Sequence, residues 1–322
     1  MCIPEVNTMR EIRSAVVTGA TGVIGAALCR LLVTRGITVY AVVRPGSRKR
    51  ILLPEHALLH TAECDLDALA GLEAQIGHAD AFFHLGWKHT ESRERDNIKA
   101  QLENIRTALD AAESAARLGC RVFLGAGSQA EYGLHDAALT PQTPCFPVTG
   151  YGMAKHCAGI MVRSRCRQLG LDCIWMRILS VYGDYQGKGS MISDLIDKLL
   201  AGEEPRLTEG RQIWDYLYCD DAADAFLAAA QSGTADAVYV LGSGEARPLR
   251  DYVCMLRDAV DPALPVEFGA VPYSPGQVMH LEADISALTR DTGFVPHISF
   301  AEGIRRTVEA RKKRRQTEYA DL

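Results

Sequence analysis

Between Ala15 and Leu28 the chain reads Ala-Val-Val-Thr-Gly-Ala-Thr-Gly-Val-Ile-Gly-Ala-Ala-Leu, and no other stretch restricts its fold so strongly. A β-branched strand runs through three glycines spaced G-x-x-G-x-x-G into an apolar helix. In that order the first glycine permits a tight turn and the second lets backbone approach a pyrophosphate. The third lets helix and strand pack closely. The helix N-terminus adds amide donors and positive dipole. Gly19, Thr21, Gly22, Val23, Ile24 and Gly25 are therefore expected to cradle a dinucleotide.

The pattern around this run supports the same architecture. Strands are expected at Ser14–Thr18, Thr38–Val43, Ala57–Thr61, Ala81–His84, Arg121–Gly125 and Cys173–Ile178, with helices near Gly22–Arg35, Asp67–Ile76, Ile98–Leu118 and Met153–Leu169. A further strand, Ala237–Leu241, follows an Ala-rich helix at Asp221–Gln231. Strands alternating with helices make an α/β fold of the Rossmann type, a doubly wound parallel sheet. Residues 12–182, completed by 217–241, form the dinucleotide-binding domain. The Gly- and Pro-richer segments 183–216 and 242–310 form a smaller, largely C-terminal substrate-binding lobe closing over the carboxyl edge of the sheet. Residues 311–322 are a basic tail, in which Arg311–Arg315 reads as a solvated helix end.

The end of the second strand bears on which dinucleotide fits. An NAD site usually carries an acid about 20 residues past the glycines, for the ribose 2′-hydroxyl. Here the strand ends in Val43-Arg44, and Ser47 and Arg48 follow. Arg44 suits a 2′-phosphate, so NADP(H) is favoured over NAD(H). Asp65, with Leu66 after it, stands at the end of the third strand, where its carboxylate either reaches the adenine amine or caps the next helix.

Tyr151 and Lys155 lie four residues apart, on one face of a helix. The strand at 121–125 runs on to Ser128, presenting a hydroxyl beyond the sheet edge. A lysine cation and a nicotinamide ring near Tyr151 are expected to lower its pKa, so that it exchanges a proton near neutral pH while hydride moves. Ser128 would hold the reacting oxygen, and Lys155 would also anchor the nicotinamide ribose.

Composition excludes several alternatives. A formal charge of −5 argues against a nucleic-acid partner. No run approaches the roughly 18 apolar residues of a membrane span. The first ten residues lack the pattern of a secretory signal, which points to the cytoplasm. The ten cysteines are scattered singly without C-x2-C spacing, so reduced core thiols are expected and no metal site.

Taken together, the motifs resemble the extended short-chain dehydrogenases/reductases, in the NAD-dependent epimerase/dehydratase group that mostly handles nucleotide-activated sugars. The matching residues are Thr18–Gly25, His84-Leu85-Gly86, Ser128, Glu131-Tyr132-Gly133, Tyr151 with Lys155, and Arg177 with Val181-Tyr182-Gly183. Trp214-Asp215-Tyr216, Asp220-Asp221, Ala283-Asp284-Ile285 and Thr292-Gly293-Phe294 with Pro296 complete the series. The likeness runs from about Ser14 to Ala310. It implies a Ser128–Tyr151–Lys155 catalytic set, further cofactor contacts at Leu85, Gly86 and Ile178, and frequently a homodimer that pairs the helices at 98–118 and 153–169.

The departures from the family are informative. Gln129 and Ala130 stand where dehydratases carry an acid pair, which speaks against dehydration. Trp214 and Ser274 stand where the family places two arginines that clamp a pyrophosphate, leaving Arg211 and Arg247 as substitutes. Gln129, Arg211, Trp214 and Arg247 are thus the expected substrate contacts. The favoured reading is reduction of a keto group on a sugar, nucleotide-linked in this family. An epimerase with tightly bound NAD is the alternative, and a silent cofactor-binding protein is the least favoured.

Overall fold

The computed structural model describes residues 9–91, 94–187 and 189–316. The first eight residues, Cys2 among them, and the end of the basic tail, 317–322, lie outside the described residues. The order begins β1 (Ser14–Thr18), α1 (Val23–Thr34), β2 (Thr38–Val43), β3 (Leu59–Glu63), α2 (Glu73–Ile76), β4 (Ala81–His84), α3 (Ile98–Arg117) and β5 (Val122–Ser128). It continues with α4 (Gly150–Leu169), β6 (Asp172–Ile178), β7 (Ser180–Tyr182), α5 (Met191–Leu200), β8 (Arg206–Leu207), β9 (Ile213–Tyr218) and α6 (Cys219–Ser232). The remaining elements are β10 (Val238–Leu241), β11 (Ala246–Pro248), α7 (Leu249–Val260), β12 (Glu267–Phe268), β13 (His280–Leu281), α8 (Ser286–Thr292) and α9 (Phe300–Arg315).

Seven strands form one parallel sheet in the order β10-β6-β5-β4-β1-β2-β3. The strand order reverses between β1 and β4, and ligands of such sheets bind beyond the carboxyl ends at that crevice. Both faces of the sheet are buried. On one face α1 and α6 cover Val17, Phe83 and Leu124; on the other α3 and α4 cover Val16, Phe82 and Phe123. That two-sided burial is why these strands read as continuous apolar runs. A second sheet, β11-β9-β13 with β7 paired to β9, stands past the carboxyl edge, and β8 pairs with β12.

Several boundaries differ from the sequence expectation. β5 runs to Ser128, and β3 begins at Leu59. The segment 67–76 is not one helix but a 3-10 turn, Leu66–Gly71, followed by the single turn of α2. Asp65 caps that turn, accepting from Asp67 N at 3.2 Å, and Ala68 leaves helical geometry. α4 begins at Gly150, because Thr149 caps it by accepting from Gly152 N at 3.1 Å. Two glycines in the first turn hid that start, being weak helix formers. The basic run Arg311–Arg315 belongs to α9, and Arg311 is buried, donating to Asp197 of α5 at 2.8 Å. The acid on the neighbouring helix docks what the sequence presented as a solvated end. No helix among the described residues is long and apolar enough to cross a membrane.

Candidate active site

A cleft of about 1210 Å³ opens at the β1/β4 switch point. Its floor is the glycine turn. Gly19 has φ +66, and a Cβ there would stand 2.7 Å from Gly86 N; one on Gly25 would stand 2.2 Å from Gly19 O. Side chains are therefore excluded where a phosphate would need backbone contact. Gly22, at the N-cap of α1, offers no side chain to occupy the first-turn amides. Thr18 ties the ends of β1 and β4 together: its Oγ1 lies 3.0 Å from His84 Nδ1 and accepts from Gly86 N at 3.2 Å. Burial, with Lys155 nearby, pushes His84 down to about 3, so its ring is neutral. Gly19, Thr21, Gly22, Val23, Ile24 and Gly25 line the cleft with Leu85, Gly86 and Ile178. A dinucleotide fits this cradle.

Arg44 lines the same cleft beside Ser47, and Lys49 rather than Arg48 joins them. Asp65 and Leu66 are also on the wall. The Asp65 carboxylate is already engaged, accepting from Lys88 Nζ at 2.5 Å as well as capping its turn. Lys88 holds it below the usual carboxylate range.

The catalytic candidates meet at the other end. Ser128, the last residue of β5, accepts from Ala130 N at 3.2 Å through Oγ. Its own amide donates to Glu131 at 2.8 Å. Glu131 is fully buried and also accepts from Trp175 Nε1 at 3.0 Å and Arg177 Nε at 2.9 Å. Burial pushes its carboxyl up, but His156, Arg177, Trp175 and the Ser128 amide together hold it low. The buried carboxylate thus fixes the backbone that presents the Ser128 hydroxyl.

Lys155 reaches inward from α4 and donates to Ala126 O at 2.7 Å. Its ammonium lies 3.7 Å from the centroid of the Trp87 ring and 5.9 Å from that of Tyr151. Burial lowers its pKa to about 7, with Glu131 pulling the other way. For Tyr151 the lowering expected from the lysine is not found. Burial raises it, and the adjoining Ser128 hydroxyl and Arg95 offset this only in part. The lysine does not dominate, because protein atoms crowd the phenol and the ammonium is directed at Ala126 and Trp87.

A model of the NAD dependent epimerase/dehydratase family matches residues 15–242. The chain belongs to that family. The dTDP-glucose 4,6-dehydratase of Haemophilus influenzae is 24% identical over 325 residues, covering 91% of this chain and 96% of the relative. The UDP-glucose 4-epimerase of Mycolicibacterium smegmatis is 26% identical over 311 residues, covering 91% and 96%. Among solved structures, the UDP-N-acetylglucosamine 4-epimerase of Methanobrevibacter ruminantium superposes with a TM-score of 0.85 at 24% identity, covering 95% of this chain and all of that one. The dTDP-glucose 4,6-dehydratase of Streptomyces venezuelae, solved with NAD bound, gives 0.83 at 24% identity, covering 95% and 99%. These likenesses establish an extended short-chain dehydrogenase/reductase fold.

Gln129 and Trp214 line the cleft, and Trp214 Nε1 donates to Ser180 Oγ at 2.8 Å. Arg211 and Arg247, the expected substitutes for a phosphate clamp, do not line it. Arg211 is exposed and pairs with Glu209 at 3.0 Å; Arg247 pairs with Glu245 at 3.3 Å and sits against Tyr252. An acid two residues away engages each guanidinium outside the cleft. Trp87 and Arg95 line the site and were missed. Trp87 directly follows His84-Leu85-Gly86, which could have flagged it. Arg95 carries no local signal, since its place depends on a loop folding back onto α4. Outside the cleft, Asp221, Asp224 and His297 bring possible metal-ligand atoms within 4.8 Å of one another. Asp221 is taken up there by the amides of His297 and Ile298, at 3.2 and 2.9 Å.

Proposed function

We propose that this family member is an NAD(P)-dependent oxidoreductase that reduces a keto group of a sugar, with Tyr151 as the proton donor. The observation that carries the reading is that Ser128, Tyr151 and Lys155 open onto one cleft with the glycine cradle. When bound, the nicotinamide supplies the hydride. Ser128 Oγ accepts from Ala130 N and its hydroxyl adjoins the Tyr151 phenol, so it would turn its hydrogen to the substrate oxygen. Tyr151, raised by burial, keeps its proton at neutral pH and gives it to that oxygen as charge develops. Lys155 would hold the ribose, and binding a polar partner there favours its charged form.

Arg44, with Ser47 and Lys49 beside it, supports NADP(H) over NAD(H). Gln129 and Ala130 supply no acid for dehydration. The epimerase reading stands second, supported by the family's NAD dependence and by relatives such as the Mycolicibacterium UDP-glucose 4-epimerase. A homodimer belongs to the same proposal: Ile98 and Leu102 of α3 and Met153, Ile160 and Met161 of α4 leave apolar surface exposed on the helices the family pairs. So does a cytoplasmic setting, supported by nine free cysteines among the described residues.

The test incubates purified protein with a 4-keto nucleotide sugar and either NADPH or NADH. Net consumption of the reduced cofactor is expected, faster with NADPH. Protein that retains NAD on purification and interconverts UDP-glucose and UDP-galactose without net consumption would replace this reading with the epimerase.

A further inference from the structure

Residues 86–91, 94 and 95 line the cleft beside Tyr151, and two buried amides of α3 brace this wall. Gln101 accepts from Trp87 Nε1 at 3.0 Å and donates to His89 O at 2.9 Å. Asn104 accepts from Lys88 N at 2.8 Å and donates to Lys88 O at 2.9 Å. His89 is held at φ 58, a region few residues other than glycine adopt. Farther on, Arg95 O accepts from Tyr151 N at 2.7 Å and Asp96 accepts from Gly150 N at 3.0 Å. The wall is thus tied to α3 at residues 87–89 and to the catalytic helix at its end.

This bracing sets Arg95 over the chemistry. Its guanidinium carbon lies 5.1 Å from the Tyr151 ring centroid, and Nε donates to Thr90 O at 3.0 Å. The other cations lining the cleft stand elsewhere or are engaged: Arg44 and Lys49 at the far end, Lys88 on Asp65 and Asp67, and Lys155 on Ala126. Of the acids on the same wall, Glu94 faces His89 Nδ1 at 3.7 Å, and Glu91 has interactions of its own.

Resting on the reductase reading, we propose that Arg95 selects a substrate whose reacting ring itself bears an anionic group, a carboxylate or a phosphate ester. A guanidinium presents a planar fork that matches either group. A neutral ring would cover that charge without pairing it, so the site discriminates by penalty as well as by attraction. Recognition would then act beside the reacting carbon, where Arg211 and Arg247 do not reach.

The test measures binding to the cofactor-loaded protein through the fluorescence of Trp87 and Trp214, with glucuronate, glucose 6-phosphate, glucose and UDP as probes. Glucuronate or glucose 6-phosphate should bind at least about tenfold more tightly than glucose, the scale of one charged hydrogen bond. Their order tells carboxylate from phosphate ester. Arg95→Gln should erase the preference and Arg95→Lys keep part of it, both with NADPH affinity intact. Equal binding of glucose and glucuronate, a preference that survives Arg95→Gln, or no binding of either anionic sugar at millimolar concentration would overturn the proposal. UDP, which lacks the reacting sugar ring, should bind the parent and Arg95→Gln equally; UDP binding that falls in the variant would overturn the proposal as well. The readout needs no turnover: anionic probes held through Arg95 by a protein that consumes no NADPH would sink the reductase reading and leave this one standing.

Discussion

Replacing Lys155 with methionine should make the protein more stable and inactive, with the stability gain shrinking as pH rises. Lys155 is buried, and its burial brings the pKa from 10.5 down to about 7. At about 1.4 kcal/mol per pH unit, that interval corresponds to roughly 5 kcal/mol. The folded pKa lies below the unfolded one, so between those values the unfolded chain binds more protons. Stability of the native protein therefore rises with pH across that window. The cost of the buried charge is fully present below pH 7 and gone above 10.5. Methionine carries no charge but leaves Ala126 O without its donor, a loss of about 1–3 kcal/mol. The net gain at pH 7 is then about 2–4 kcal/mol, falling by about 1.4 kcal/mol for each pH unit above it. Urea unfolding of both proteins without cofactor, between about pH 7 and 9, measures this difference. Above about pH 7 the native amine is largely neutral and its hydrogen bond changes little, so the slope isolates the charge. A difference that stays flat over that range would refute the burial argument, whatever its size at pH 7.

The other predictions concern the reaction, the cofactor and the assembly. Tyr151→Phe removes the proton donor and should lower turnover by about 10²–10⁴-fold with cofactor affinity retained; activity within a few-fold of the parent would end the catalytic assignment. Arg44→Ala should weaken NADPH by about 1.5–3 kcal/mol and NADH little, as titration of both cofactors would register. Equal losses would make Arg44 an ordinary loop charge. The parent should sediment as a dimer, and the double variant Leu102→Glu with Ile160→Glu as a monomer of unchanged fold. A monomeric parent, or a variant that still pairs, would discard the α3/α4 interface.

Much of the cofactor half was legible in the chain because its determinants are local. A β-branched run, three spaced glycines and an apolar helix specify a turn within about a dozen residues, and the structure brings that turn into the cleft. Tyr151 and Lys155 were legible for the same reason, since helical spacing alone puts them on one face. Tertiary structure decided what depends on residues distant in sequence. The same helix that aligns the pair buries Lys155 and leaves Tyr151 crowded by protein atoms, so Tyr151 is raised rather than lowered and Lys155 is brought toward neutrality. Asp65 caps its turn while Lys88, twenty-three residues on, engages its carboxylate. Arg211 and Arg247 carried the right charge in plausible places, yet neighbouring acids hold both outside the cleft. Arg95 had no signal at all, and its position over Tyr151 exists because Gln101 and Asn104 brace a loop that the α4 amides then complete. Periodicity and turn chemistry are short-range properties written into neighbouring residues, whereas desolvation and the pairing of charges belong to surfaces that only the folded chain brings together.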